Sequence, residues 1–272
     1  MESLRYNSKE VNMKKIFLVM LFVCLLLCGC GKKEQSKPQD DLAKIIERGK
    51  IIVGVRDDTM PFGYRDKDGN LTGFDIELSR IIAKNILGDE SKITFVPVTA
   101  SNRIMKLTSG EVDILVATMS ITEQREQILN FSIPYYIAGQ AILAKSSSKA
   151  TGLLDFEDKR LIVVFGSTSE RNLRTNVPDV EVLGFKTYKE AYNALKAGRA
   201  DGIVADDTIL LRYALNDSSV KLLPKRFSQE PYAVAFRKEA ESASLTDRVD
   251  YIIDSLQDSG RLSKMLEKWK IK

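Results

Sequence analysis

The chain has 272 residues, of which 44% are apolar and 29% charged, an ordinary mix for a globular protein. Lys plus Arg total 41 against 37 Asp plus Glu, a formal charge of +4 that excludes a dedicated nucleic-acid binder built on a dominant basic face. There is no histidine, so a Ser-His-Asp triad, a Cys-His dyad and a histidine-ligated metal site are excluded.

Lys14 and Lys15 precede an apolar run from Ile16 to Leu27, followed by Leu27-Cys28-Gly29-Cys30. A positive start, a short apolar core and small residues at its end define a secretory signal over 1–29. The run is shorter than the roughly 20 residues a membrane span needs. Met13-Lys14-Lys15 opens a more typical signal than Met1, which makes 1–12 an over-called start. Leu27–Cys30 resembles a lipobox, which implies cleavage before Cys30 and acylation of that residue. The three cysteines lie at 24, 28 and 30, so the domain itself contains no disulfide. Loss of residues 1–29 takes away four cations and two acids and leaves +2. Residues 30–40 are polar, carry Pro38 and lack periodicity, and read as a tether between lipid and domain.

Beyond the tether the pattern alternates. Lys50–Val55 is a β-branched, buried strand. Asp66–Asn70 is turn chemistry, and its downstream residues place no Glu where a calcium loop needs one. Phe74, Leu78, Ile81, Ile82 and Ile86 have helical spacing up to Gly88. Lys92–Val98 is a strand, Ser101 caps a helix to Ser109, and Val112–Ala117 is a buried strand. Ser120-Ile121-Thr122-Glu123 has capping-box spacing for a helix through Leu129. Arg160–Phe165 is a strand, Ser167-Thr168-Ser169-Glu170 is a second capping box, and Glu181–Gly184 is a short strand. A helix through Tyr188, Tyr192 and Leu195 stops at Gly198. Gly202–Ala205 is a strand, and Asp206 opens a helix over 208–214. A strand at Tyr232–Phe236 and helices near 239–257 and 260–269 finish the chain. Strands alternating with helices predict an α/β fold of two lobes, each a mostly parallel sheet flanked by helices. The expected division is 41–138 plus 233–272 for the first lobe and 139–232 for the second, with two crossing strands as the hinge.

Ligands of open α/β sheets sit beyond the carboxyl ends of strands. There the sequence places Arg56, Thr118, Ser167 and Asp206. Arg125 near a helix start opposes the macrodipole; it is either a solvated surface charge or part of an anion site, and Arg56 and Arg103 carry the same two readings. Ser167 and Thr168 either cap a helix or face an anion. Asp206 is either a cap or a carboxylate for an ammonium group. Phe62 is either core or pocket wall. No phosphate-binding glycine motif and no metal-ligand set is present, so no cofactor or metal is expected.

Several stretches together are similar to one family: Gly54-Val55-Arg56-Asp57-Asp58-Thr59-Met60-Pro61-Phe62, Gly69–Asp75, Ser109–Asp113, Ser120-Ile121-Thr122-Glu123-Gln124-Arg125 and Phe131–Tyr136. They resemble the extracellular solute-binding proteins of family 3, the polar amino-acid receptors of ABC importers, over about 41–272. The resemblance implies a type II periplasmic-binding-protein fold closing on its ligand like a flytrap, with no catalysis. It implies that Arg125 clamps the ligand α-carboxylate, aided by Thr118 and Ser120, and that Ser167 and Thr168 contact the anion from the second lobe. Asp206 matches the acid that holds the α-ammonium. Members for basic or aromatic ligands carry an aromatic near Ala100 and an acid near Arg56. This chain has neither: its Ala100-Ser101-Asn102-Arg103 resembles the Asn-Arg pair of members that bind acidic amino acids and of some that bind cysteine, and Arg56 stands where acidic-ligand members carry Arg or Lys. Two cations left unpaired in a partly buried cleft are costly, and a second ligand carboxylate relieves that cost. Glutamate or aspartate is therefore the expected ligand, with cysteine or glutamine as the alternative. A prephenate- or arogenate-type dehydratase on the same fold is the enzymatic alternative, and a signalling sensor lacks an output domain. The expected partners are the amino acid, importer permease subunits and, through Cys30, the outer face of a membrane, with the protein a monomer that binds no nucleic acid.

Overall fold

The computed structural model describes residues 40–271. The signal over 1–29, Cys30 and nearly all of the tether lie outside the described residues. Asp40, read as the end of the tether, is instead a helix cap: its carboxylate accepts from the Ala43 amide at 3.0 Å. It opens α1 (Asp41–Arg48), an element the sequence reading passed over.

In chain order there follow β1 (Ile51–Val55), the short strands β2 (Asp58–Thr59), β3 (Gly63–Arg65) and β4 (Leu71–Thr72), α2 (Phe74–Leu87), β5 (Ile93–Pro97), α3 (Arg103–Thr108) and β6 (Ile114–Val116). Next come α4 (Glu123–Glu126), β7 (Leu129–Phe131), β8 (Tyr136–Ala138) and β9 (Gln140–Lys145). The second half holds β10 (Arg160–Val164), α5 (Ser169–Asn176), β11 (Glu181–Phe185), α6 (Tyr188–Lys196), β12 (Gly202–Asp206), α7 (Asp207–Asn216) and β13 (Val220–Leu222). It closes with β14 (Glu230–Tyr232), β15 (Ala235–Arg237), α8 (Ala243–Asp258) and α9 (Arg261–Lys268).

These strands form two five-stranded sheets, ordered β5-β1-β6-β15-β7 and β11-β10-β12-β9-β13. In each, two neighbouring pairs are parallel and two antiparallel, so that four strands point one way and one, β15 or β9, the other. Parallel sheets need cover on both faces, and the alternation of side chains along each strand provides apolar groups for both. In the first sheet Ile114 and Val116 join the core that takes in Phe74, Leu78 and Ile82 of α2 and Ile252 and Ile253 of α8. Leu115 between them faces the other way, with Leu107 of α3. In the second sheet Ile162 and Val164 pack with Tyr188 and Leu195 of α6, while Leu161 and Val163 pack with Leu173 of α5.

The chain passes between the two sheets in β8 and β14, which pair antiparallel with Tyr136 opposite Tyr232 and Ala138 opposite Glu230. The single strand expected over Tyr232–Phe236 is therefore two. Tyr232 belongs to this ribbon, and Ala235 pairs with Leu115 and Phe131 inside the first sheet. No helix among the described residues is long and apolar enough to cross a membrane.

Candidate functional site

The loops after β1, β5, β6 and β10 and the end of β12 converge, as carboxyl ends of strands should. The loop after β6 is held from both sides. Thr118 has φ 46, a conformation that β-branched residues rarely adopt. Its amide donates to Asp75 at 3.1 Å, and its carbonyl, with that of Ala117, accepts from Arg103 Nη1 at 3.1 and 2.6 Å. The second oxygen of Asp75 accepts from the Tyr135 hydroxyl at 3.0 Å. Complete burial pushes the Asp75 carboxyl up to about 7, against the hydrogen bonds of Tyr135 and Thr118 and the charges of Arg103 and Arg56. Burial, with Arg125 and Arg56 nearby, brings Arg103 down to about 9. Arg103 thus staples the loop through its carbonyls, a role that competes with the expected reading of a ligand side chain. Its Nε has no partner among the described residues.

Arg125 lies in α4, whose cap is Thr122: the Thr122 hydroxyl accepts from the Arg125 amide at 3.2 Å. The expected cap, Ser120, is instead bridged to Tyr232, so the helix starts two residues late and spans only Glu123–Glu126. The Arg125 guanidinium donates to Ser120 O at 2.8 Å and, across to the second lobe, to Gly166 O at 3.1 Å. Burial lowers its pKa, while Glu230 and Asp206 favour its charged form. Gly166 has φ 78, and a Cβ there would stand 2.4 Å from Ala100 O of the first lobe. The two lobes are therefore in backbone contact at the site.

On the second lobe, the Ser167 hydroxyl donates to Val164 O at 2.7 Å. Thr168 occupies the N-cap position of α5 without a side-chain capping bond, because its hydroxyl donates to Glu230 at 2.8 Å. Here both hydroxyl protons are donated inside the protein, and the backbone at the start of α5 is the other group this segment can offer an anion. Asp206 likewise sits at the cap position of α7 without capping it, and accepts a hydrogen bond from the Tyr232 hydroxyl. Burial first, and the charge of Glu230 second, push its carboxyl up to about 7. An adjacent ammonium group would hold such an acid in its charged form.

Arg56 is 1% exposed and is not unpaired. Its Nε and Nη2 lie 3.0 and 2.6 Å from one oxygen of Asp58, and its guanidinium carbon is 5.6 Å from the centre of the Tyr188 ring. The premise of two unpaired cations awaiting an acidic ligand is thereby corrected for Arg56, whose counter-charge the chain supplies two residues away; Arg103 is held by carbonyls alone. Phe62 is fully buried, with its ring 5.3 Å from Tyr232, 5.7 Å from Tyr136 and 6.1 Å from Phe74. It is core, and it backs the tyrosine whose hydroxyl meets Asp206.

Sequence reasoning missed Asp58, Asp75, Gln140, Glu230 and Tyr232. Asp75 had a legible signal, an acid within the apolar helical stripe that follows Phe74. Glu230 had none: its 3% exposure arises only where β14 meets α5. No cluster of metal-ligating side chains exists among the described residues.

Residues 51–272 match the bacterial extracellular solute-binding proteins, family 3, and the chain belongs to that family. It is 39% identical to the glutamine-binding protein GlnH of an ABC transporter in Bacillus subtilis, over 94% of this chain and 97% of that one. It is 37% identical to the glutamine-binding protein of Geobacillus stearothermophilus, over 86% and 97% of the two chains. Among solved structures, an ancestral arginine-binding protein bound to glutamine superposes with a TM-score of 0.77 at 36% identity, covering 83% of this chain and 99% of that one.

Proposed function

We propose that this solute-binding protein is the amino-acid receptor of an ABC importer and that its ligand is glutamine. Arg125 takes the α-carboxylate, supported by the Thr118–Ser120 loop and the start of α5. Asp206 takes the α-ammonium. The observation that carries the choice of side chain is the Arg56–Asp58 pair at 2.6 Å. With Arg56 neutralised, a ligand carboxylate in its neighbourhood would meet a cation already satisfied and an anion beside it. A neutral amide avoids that repulsion, and two named relatives bind glutamine. The acidic-ligand expectation rested on two unpaired cations and loses Arg56 as one of them; cysteine remains the second choice.

The β8–β14 ribbon is the hinge in this reading. Ligand drives closure only to the extent that it binds the closed form more tightly. Arg125 contributes to that difference because it touches both lobes. The named relatives are binding proteins, and this chain is one rather than an enzyme. Acylation at Cys30 anchors it to the outer face of the membrane; Cys30→Ser should move the protein from the membrane fraction to the soluble one, and retention in the membrane would overturn the anchor.

Calorimetric titration of the mature protein, stripped of ligand by unfolding and refolding, tests the function. Tight saturable heat is expected with glutamine, and binding at least tenfold weaker with glutamate and aspartate. Tighter binding of glutamate would overturn the assignment, and silence towards every amino acid would overturn the receptor itself.

A further inference from the structure

Gln140, the first residue of β9, is fully buried beside the site, yet its carboxamide oxygen has no hydrogen-bond partner among the described residues. Its orientation is dictated by its neighbours. Glu230 is acceptor-only when ionised, and it accepts from Asn172 Nδ2 at 2.7 Å, Ser228 Oγ at 2.9 Å and Thr168 Oγ1 at 2.8 Å. Thr168 has one hydroxyl proton and gives it to Glu230, so towards Gln140 it can only accept. The Gln140 amide nitrogen therefore faces Thr168, at 2.9 Å, and Ser169 Oγ, at 3.2 Å. The oxygen must point the other way. An unmatched buried acceptor is destabilising and calls for a donor.

The sheet register shows which donor is close. Gln140 stands directly opposite Asp206 in the β9–β12 pair. Side chains opposite each other in an antiparallel pair leave the same face, with Cβ atoms roughly 4.5–5.5 Å apart. A group that donates to Asp206 is thus within reach of the Gln140 oxygen. We propose that Gln140 is a ligand-binding residue whose carboxamide oxygen accepts a hydrogen bond from the bound amino acid's α-ammonium, sharing that group with Asp206. This rests on the assignment of Asp206 to the ammonium. Glu230 and Thr168 are then positioning residues, since they set which end of the Gln140 amide faces the ligand. An ammonium has three donors, and a single carboxylate does not use them all.

The test compares glutamine with 4-carbamoylbutanoate, which is glutamine without its ammonium, by thermal shift at millimolar ligand and by calorimetry, on the wild-type protein and two variants. Gln140→Met removes the acceptor at similar volume and should weaken glutamine about tenfold to a hundredfold, the range for a hydrogen bond to a charged group. It should leave the affinity for 4-carbamoylbutanoate within about twofold of its wild-type value. Gln140→Glu keeps an acceptor oxygen and should retain glutamine while rejecting 4-carbamoylbutanoate. Equal losses for both ligands in Gln140→Met would show a purely structural amide and overturn the proposal, as would no loss for either. Should Gln140→Met not fold, Gln140→Glu decides alone: loss of glutamine there overturns the proposal. Wild-type silence towards glutamine would instead break the ligand assignment, and the same comparison then runs with whichever amino acid binds and its des-amino counterpart.

Discussion

Gly166→Ala isolates closure from chemistry, because it removes no polar group. Gly166 belongs to the loop after β10, and its φ of 78 is one that L-residues adopt at a cost of about 1–2 kcal/mol. That cost is paid whether or not the lobes touch, so it reads out as lost stability. The added carbon would also stand 2.4 Å from Ala100 O, 2.6 Å from Ala100 C and 2.7 Å from Ser101 Cα, where ordinary contact begins at 3.4 Å. These are backbone atoms of the other lobe and cannot swing aside. The lobes must part by about 1 Å, which carries Gly166 O from 3.1 Å to about 4 Å from Arg125 Nη2. One charge-assisted hydrogen bond of about 1.5–3 kcal/mol is then lost in the closed form only, or roughly ten- to a hundredfold in Kd. Urea unfolding without ligand should show a loss of about 1–2 kcal/mol, and calorimetry should show the larger loss in affinity. Unchanged affinity with the expected loss of stability would refute the view that ligand is held by lobes packed as they are here.

Arg125→Ala should abolish binding of every amino acid, since two charge-assisted bonds are worth about 3–6 kcal/mol, a factor of a hundred or more; near-native affinity would sink the carboxylate assignment. Asp58→Asn leaves the buried Arg56 without its carboxylate. It should cost about 2 kcal/mol, below the usual 3–5 because Asp58 is 26% exposed. It should also raise the glutamate-to-glutamine affinity ratio at least tenfold, and an unchanged ratio in competition titrations would show that this pair does not set specificity. The pH response has a definite sign. Asp75 and Asp206 both titrate near 7 in the folded protein, raised from 3.8 chiefly by burial. Between those values the folded chain holds protons that the unfolded chain has released. Stability should therefore fall as pH rises from 4.5 to 7.5, by about 1.4 kcal/mol per pH unit per proton held. With no histidine in the chain, little else titrates in that window. A stability that rises over it, or a slope unaltered by Asp206→Asn, would contradict the burial of this acid. Binding of an ammonium-bearing ligand near pH 6.5 should release protons, visible as a dependence of the calorimetric heat on buffer.

Much of the fold was legible because burial of a parallel strand leaves a local mark. Lys50–Val55, Val112–Ala117, Arg160–Phe165 and Gly202–Ala205 read as short β-branched runs and are strands at about those bounds. Boundaries that depend on a distant partner were not legible. Ser120 has the spacing of a cap, but it stands opposite Tyr232, more than a hundred residues along, in a bridge closed by Ile121 N to Pro231 O and Ala233 N to Met119 O, and the cap passes to Thr122. Tyr232–Phe236 has the composition of one strand, yet its two ends pair with different neighbours.

The same division runs through the site. The residue types and their places at strand ends were determined by the sequence, since a strand's end follows from its own apolar run. What each polar group does was decided only by the tertiary structure. Arg56, Arg103 and Arg125 look alike in the sequence, but Asp58 neutralises the first, two loop carbonyls occupy the second, and the third reaches across to Gly166. A hydrogen bond needs a partner within about 3 Å at a particular angle. Which partner that is depends on how segments far apart in the chain pack against one another, and no local pattern encodes it.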